Sequence, residues 1–241
     1  MHILFLLTIL LFNTFIYAQN QENKAKEQLC GTDEMHQEIF KNHPELHNKI
    51  IQNHEYLNDF TRNYISQKSN KSTIYKIPVV FHIIHNYGTE NISNPQIYDA
   101  IRVANRNLRK QNPDTSDIVP FFKPRAADCE IELVLAQKDP NGNCHSGINR
   151  IASTLTNIGD HQVKSLIHWD PTKYLNIYVC AEAAGLAGHA LLPSTADTIP
   201  QWDGIVIQHS YLGSIGTSTP FKSVVLTHEL GHYFNLQHIW G

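Results

Sequence analysis

Apolar residues change rhythm near residue 73 of the chain. From Ile77 to Ile84 they run almost unbroken, IPVVFHII, which predicts a strand buried on both faces, with His82 inside it a satisfied core residue rather than a ligand. Ile97, Ile101, Ala104 and Leu108 then recur at helical spacing, with Asn94 and Pro95 suited to the N-cap and first turn and Asn112-Pro113 expected to stop the helix. This helix should back a sheet. IELVLAQ at 131–137 reads as a strand, DPNG at 139–142 is turn chemistry leading into GINRI, and a short helix is expected near 160–168. YLNIYVC at 174–180 alternates as a half-buried strand does, and GIVIQH at 204–209 reads as another. Between them, AGLAGHALLP at 184–193 carries small residues and ends at Pro193, features suited to a sheet edge that rims a cleft. His189 in this stretch is expected to face solvent.

Before residue 73 the texture differs. Residues 19–72 are polar and rich in Asn, Gln, Lys and Glu, with a helical stretch over Glu34 to Tyr64 and a loose tail SQKSNKST. Residues 3–12, ILFLLTILLF, form an apolar run of signal-peptide length, and Ala18 followed by Gln19 offers a small residue at a cleavage position. We therefore expect a signal peptide at 1–18 and export, with an uncleaved anchor as the alternative because the positive leading region is weak. The run is short for a full transmembrane helix. The whole chain of 241 residues is 41% hydrophobic and 17% charged with net charge -3, an ordinary globular balance that does not suggest a nucleic-acid partner.

The chemistry concentrates at the end, where His228, Glu229, His232 and His238 stand in the pattern HExxHxxNxxH. Residues four apart lie one turn above each other on a helix, so His228 and His232 can offer two imidazoles to one metal. Glu229 points off the ligand direction, as suits a carboxylate that handles a water without binding zinc. A straight helix would carry His238 to the wrong side. The chain must turn back just after Phe234, and Asn235 is a residue that readily enters the left-handed conformation that ends helices. HExxH alone also occurs on solvated helices with incidental histidines; the third histidine and the turn residue make the longer string more specific.

This string resembles the signature of metzincin zinc peptidases, HExxHxxGxxH with Asn sometimes replacing Gly. Upstream, IPVVFHIIHN at 77–86, DPNGNCHSGINR at 139–150, WDPTKYLNIYVC at 169–180 and DGIVI at 203–207 look like the pappalysin family, in its cytophagalysin-like branch. The resemblance implies an α/β (α+β) fold, a twisted mixed β-sheet backed by helices with the active-site helix ending at the zinc motif. It also implies a secreted endopeptidase with one catalytic Zn2+ on His228, His232 and His238, and Glu229 as general base. Substrate would bind as an added strand on an antiparallel sheet edge; Ca2+, known in some relatives, has no assignable residues here. Cys30-Gly31 resembles the cysteine switch of latent zymogens, which makes 19–72 a pro-segment and 73–241 the catalytic domain. An ordinary structural role for Cys30 is the alternative. Cys30, Cys129, Cys144 and Cys180 permit two disulfides in three connectivities, and if Cys30 serves zinc one of the others lacks a partner within the chain. Metzincins carry a Met-turn after the third histidine, whereas Met1 and Met35 are the methionines here. The expectation is a catalytic domain truncated before its lower subdomain, with a catalytically silent zinc-binding decoy or interaction module, or an adhesion module with incidental histidines, as readings of another class.

Overall fold

In a computed structural model, residues 30–64 and 73–238 are described. The expected signal peptide at 1–18, most of the tail at 66–73 and the stretch after His238 lie outside the described residues. Strand β1 (Tyr75–His85) is the axis of a six-stranded sheet among them. The first half of β1 pairs in parallel with β2 (Ile131–Leu135) and its second half with β3 (Ile148–Ala152). On its other side it pairs in parallel with β4 (Leu175–Cys180), then comes β6 (Ile205–Gln208), and last the antiparallel edge strand β5 (Gly188–Ala190). Alternate side chains of β1 serve opposite faces, as a pleated strand requires. Val79, Phe81 and Ile83 join Ile97, Ala100 and Ala104 of helix α3 (Asn94–Leu108) in the main core, together with Leu226 and Leu230. Val80 faces the other way, toward Trp169, and Ile84 packs with Val163 and Tyr178. Each of the buried Val, Leu, Ile and Phe side chains contributes about 1.5–3 kcal/mol.

Several expectations shift. β4 is buried at every residue rather than alternating, because a central parallel strand is covered on both faces. α3 ends at Leu108, before Asn112-Pro113: Lys110 adopts φ 51 and Gln111 N–H donates back to the Arg106 carbonyl at 2.8 Å, so a left-handed C-terminal cap stops the helix first. The 160–168 segment is a 3-10 turn, His161–Ser165. The helical stretch over 34–64 divides at Pro44 into α1 (Thr32–Asn42) and α2 (His47–Asn63), since proline has no N–H to continue the ladder. His82 is buried as expected, within 2.9 Å of Asn176 Oδ1 and 3.2 Å of Asn149 Nδ2.

Helices α1 and α2 lie against the segment after β5. Met35, Ile39 and Ile50 pack on Leu191, Ala196 and Ile199, Ala196 being the last residue of the short helix α4 (Pro193–Ala196). Polar contacts hold the same face. Thr32 Oγ1 donates to the Ala190 carbonyl at 3.0 Å, and His36 Nε2 accepts the Leu192 N–H at 3.1 Å, which leaves Nδ1–H to donate to Thr195 Oγ1 at 3.0 Å.

Candidate metal centre

Helix α5 (Val225–Tyr233) presents its apolar side, Val225, Leu226 and Leu230, to the main core and so fixes which way its polar residues point. It ends in a left-handed cap. Asn235 takes φ 70, its N–H donates to the His232 carbonyl and the Leu236 N–H to the Gly231 carbonyl, both at 2.9 Å. The chain thereby reverses within a few residues and brings His238 back to the helix. The Nε2 atoms of His228, His232 and His238 lie 3.1–3.3 Å from one another. Cys30 Sγ stands over them, 3.4 Å from His232 Nε2, and the four donor atoms fall within 4.8 Å of one another.

These residues fit a tetrahedral metal ion. Zinc–nitrogen and zinc–sulfur bonds of ordinary length set the corner-to-corner distances of a tetrahedron at about 3.3 Å for two nitrogens and about 3.6 Å for nitrogen and sulfur. Proton placement points the same way. His232 Nδ1 lies 2.7 Å from the Leu236 carbonyl and His238 Nδ1 lies 2.8 Å from Asp33 Oδ2; both partners accept, so each Nδ1 carries the proton and each Nε2 keeps its lone pair toward the cluster. Burial holds His228 and His232 below the ordinary histidine range, with neighbouring histidines adding to the effect, so both favour the neutral ligand form. Converging lone pairs repel unless a cation sits among them.

Glu229 is fully buried beside this group, with Oε2 3.9 Å from Cys30 Sγ and Oε1 lacking a partner among the described residues. Burial pushes its carboxyl up to about 8. The Cys30 thiol is pushed up to about 12 by burial first and by the Glu229 carboxylate second. A divalent cation would act against both shifts, because a large local positive charge favours thiolate and carboxylate. Gly188 of β5 lets the edge strand approach: a Cβ there would lie 3.1 Å from Glu229 Cγ. The same edge is occupied, since Gly31 N–H donates to the Gly188 carbonyl at 3.1 Å and Cys30 bridges Gly188 in parallel.

The residues singled out in the sequence, His228, Glu229, His232, Asn235, His238 and Cys30, therefore meet in one place. None of the four cysteines is joined in a disulfide. His189 does not face solvent: it is fully buried on β5, donates from Nε2 to the Gly159 carbonyl at 3.1 Å and packs edge-on against His161. Gly31 and Thr32 bond along the edge of this strand at Gly188 and Ala190, and His161 packs on the His189 ring. Two residues at the centre carried no signal of their own in the sequence: Thr32 and Asp33 are common types whose positions depend on α1 docking across the edge.

A buried glutamate beside three convergent imidazoles, on a helix under an antiparallel sheet edge, defines the site of a metallopeptidase. A model of the peptidase M43 family, described as Pregnancy-associated plasma protein-A, matches residues 157–241. Tannerella forsythia promirolysin, in a mutant form, is 30% identical with a TM-score of 0.73, the match covering 89% of this chain and 71% of that one. Mirolysin in complex with compound 9 is 35% identical with a TM-score of 0.65, covering 71% and 66%. Tannerella forsythia mature mirolysin in complex with a cleaved peptide is 35% identical with a TM-score of 0.63, covering 71% and 67%. None of the curated proteins compared is similar enough to match. The chain belongs to the pappalysin family, peptidase M43, and is a metalloendopeptidase of the metzincin type. No helix among the described residues is long and apolar enough to cross a membrane.

Proposed function

We propose that the chain is a secreted zinc endopeptidase held latent by its own 19–72 segment, with 1–18 a signal peptide and 73–241 the catalytic part. His228, His232 and His238 hold the zinc, and Cys30 takes the fourth position until the segment is removed. The observation that carries this reading is the convergence of four donor atoms: three Nε2 atoms 3.1–3.3 Å apart, as at the corners of a tetrahedral site, and one Sγ 3.4 Å from His232 Nε2. When bound, zinc supplies a Lewis acid that polarises the peptide carbonyl and lowers the pKa of water toward neutrality. The chain's own groups do the rest. Glu229, beside the cluster but not among its four converging donors, accepts a proton from the attacking water and hands it to the leaving amine. Asn235 ends the helix so that His238 arrives at the right face. Substrate lies along β5, taking the place of Cys30-Gly31, and its backbone pairs with the free main-chain groups of an edge strand. The Cys30–Gly188 bridge supports this placement by marking that edge as open to an added chain.

Metal analysis tests the core of the proposal. The purified chain should carry one zinc, and replacing His228, His232 or His238 with Ala should each lower the content sharply. Unchanged stoichiometry in all three variants removes the site. Peptide hydrolysis that appears on removal of the 19–72 segment, and is lost with a chelator, supports the latency; hydrolysis already complete in the uncleaved chain refutes it.

A further inference from the structure

His232 and His238 take their outer partners from different parts of the chain. His232 Nδ1–H donates to Leu236, a carbonyl of its own return loop, at 2.7 Å. His238 Nδ1–H donates to Asp33 Oδ2, on the first turn of α1, at 2.8 Å. The adjoining residue is held from the same side. Gln237 Nε2 lies 2.8 Å from His54 Nε2 on α2, and that nitrogen also receives Asn58 Nδ2 at 2.9 Å. The loop that returns His238 is thus gripped by two residues of the 30–64 segment, and the His238 side chain is 5% exposed. A carboxylate on the far nitrogen of a ligating imidazole fixes the tautomer and ring orientation and makes the near nitrogen more basic. Removing such a partner lowers metal affinity by about 10–100-fold.

We propose that Asp33 is a positioning residue for the metal: the segment that covers the site also aims its third ligand, so the ion is loaded most tightly while the segment is in place. This rests on the reading of His228, His232 and His238 as zinc ligands. The Cys30 thiolate adds a ligand directly, whereas Asp33 acts only through His238. The two contributions are separable by mutation.

The experiment uses the full chain stripped of metal and titrated with zinc against a chromophoric chelator, with cobalt(II) as a spectroscopic stand-in. Asp33→Asn keeps the shape and a weak acceptor; Asp33→Ala removes both. We expect zinc to bind about 10–100-fold more weakly to the Ala variant, with a smaller loss for Asn and partial recovery in Asp33→Glu. The cobalt absorption envelope should change in the Ala variant, because the geometry at His238 loosens. Thermal unfolding of the metal-free forms serves as the control for segment docking. Affinity within about twofold of the parent in both variants overturns the proposal. So does a loss of affinity matched by an equal loss of metal-free stability, which would mean that docking alone is disturbed. Failure of the underlying reading is recognised separately, since His238→Ala would then bind zinc as tightly as the parent.

Discussion

Glu229 carries two opposite demands at one atom position. It must be buried to stand beside the metal and the edge strand, yet burial without a cation pushes its carboxyl up to about 8, well above the ordinary glutamate value. The sign of the consequence follows. In metal-free protein the unfolded chain gives up its proton near pH 4.5 while the folded chain holds it to about 8, so stability falls as pH rises through that window. Glu229→Gln abolishes this loss: the metal-free variant should be more stable than the parent at pH 8, on the order of 1–3 kcal/mol, and close to it at pH 4. The same variant should retain zinc, since the carboxylate is proposed as a base and not as a ligand, and lose peptidase activity by about 100-fold or more. Denaturant unfolding of chelated protein at both pH values, beside a zinc and activity measurement, checks each part. Retained activity would remove Glu229 from the role of base.

At the scale of elements, the decisive one is the end of α5. A left-handed residue costs an L side chain about 1–2 kcal/mol, less for Asn and nothing for Gly, and Asn235 stands there at φ 70 with its Oδ1 lacking a partner among the described residues. Asn235→Gly should therefore preserve both stability and zinc affinity. Asn235→Val, β-branched and resistant to positive φ, should lower stability by about 1–2 kcal/mol and weaken zinc at least tenfold, because His238 no longer returns to the helix. Zinc titration and thermal unfolding of the pair decide it; equal behaviour of Gly and Val would mean the turn does not set the ligand. This element was legible before the structure because a fixed spacing and one turn residue sufficed. β1, β6 and the edge at Gly188–Ala190 were legible for the same reason, as continuous apolar runs and small residues bounded by turn formers. What was not legible depended on contacts distant in sequence. His189 looks polar and exposed until α1 and the His161 turn are laid over it, and β4 alternates in sequence although its polar members, Asn176 and Tyr178, find buried partners in Trp169, His82 and His168.

Across the whole molecule, the 30–64 segment and the catalytic part share one interface built on neutral histidines. Burial holds His36 down to about 4, His189 to about 3 and His161 to about 2, with His161 stacked on Trp202. The unfolded chain takes up these protons near pH 6.5 and the folded chain does not, so stability is full above that value and falls as pH drops toward 4, at up to about 1.4 kcal/mol per pH unit for each histidine. His36 should dominate the part felt by the segment, because its Nε2 must stay unprotonated to accept the Leu192 N–H. His36→Phe should flatten the acid limb of a thermal-stability profile; an unaltered limb would assign the loss elsewhere. The latency proposed above would be a property of this assembly, and Cys30 is where it is most directly read. In the uncleaved chain Cys30→Ser replaces a thiolate by a hydroxyl, a far weaker ligand, and reopens the fourth position to water. Gly31 and Thr32 still cover β5 at Gly188 and Ala190, so the activity gained before cleavage should be partial. Since Cys30 is not joined to another cysteine, the substitution should not bring the stability loss of about 2–5 kcal/mol that follows removal of a native disulfide. Peptide hydrolysis and thermal unfolding on one Cys30→Ser preparation separate the outcomes: activity before cleavage with a nearly unchanged melting temperature supports the switch, and unchanged latency sinks it.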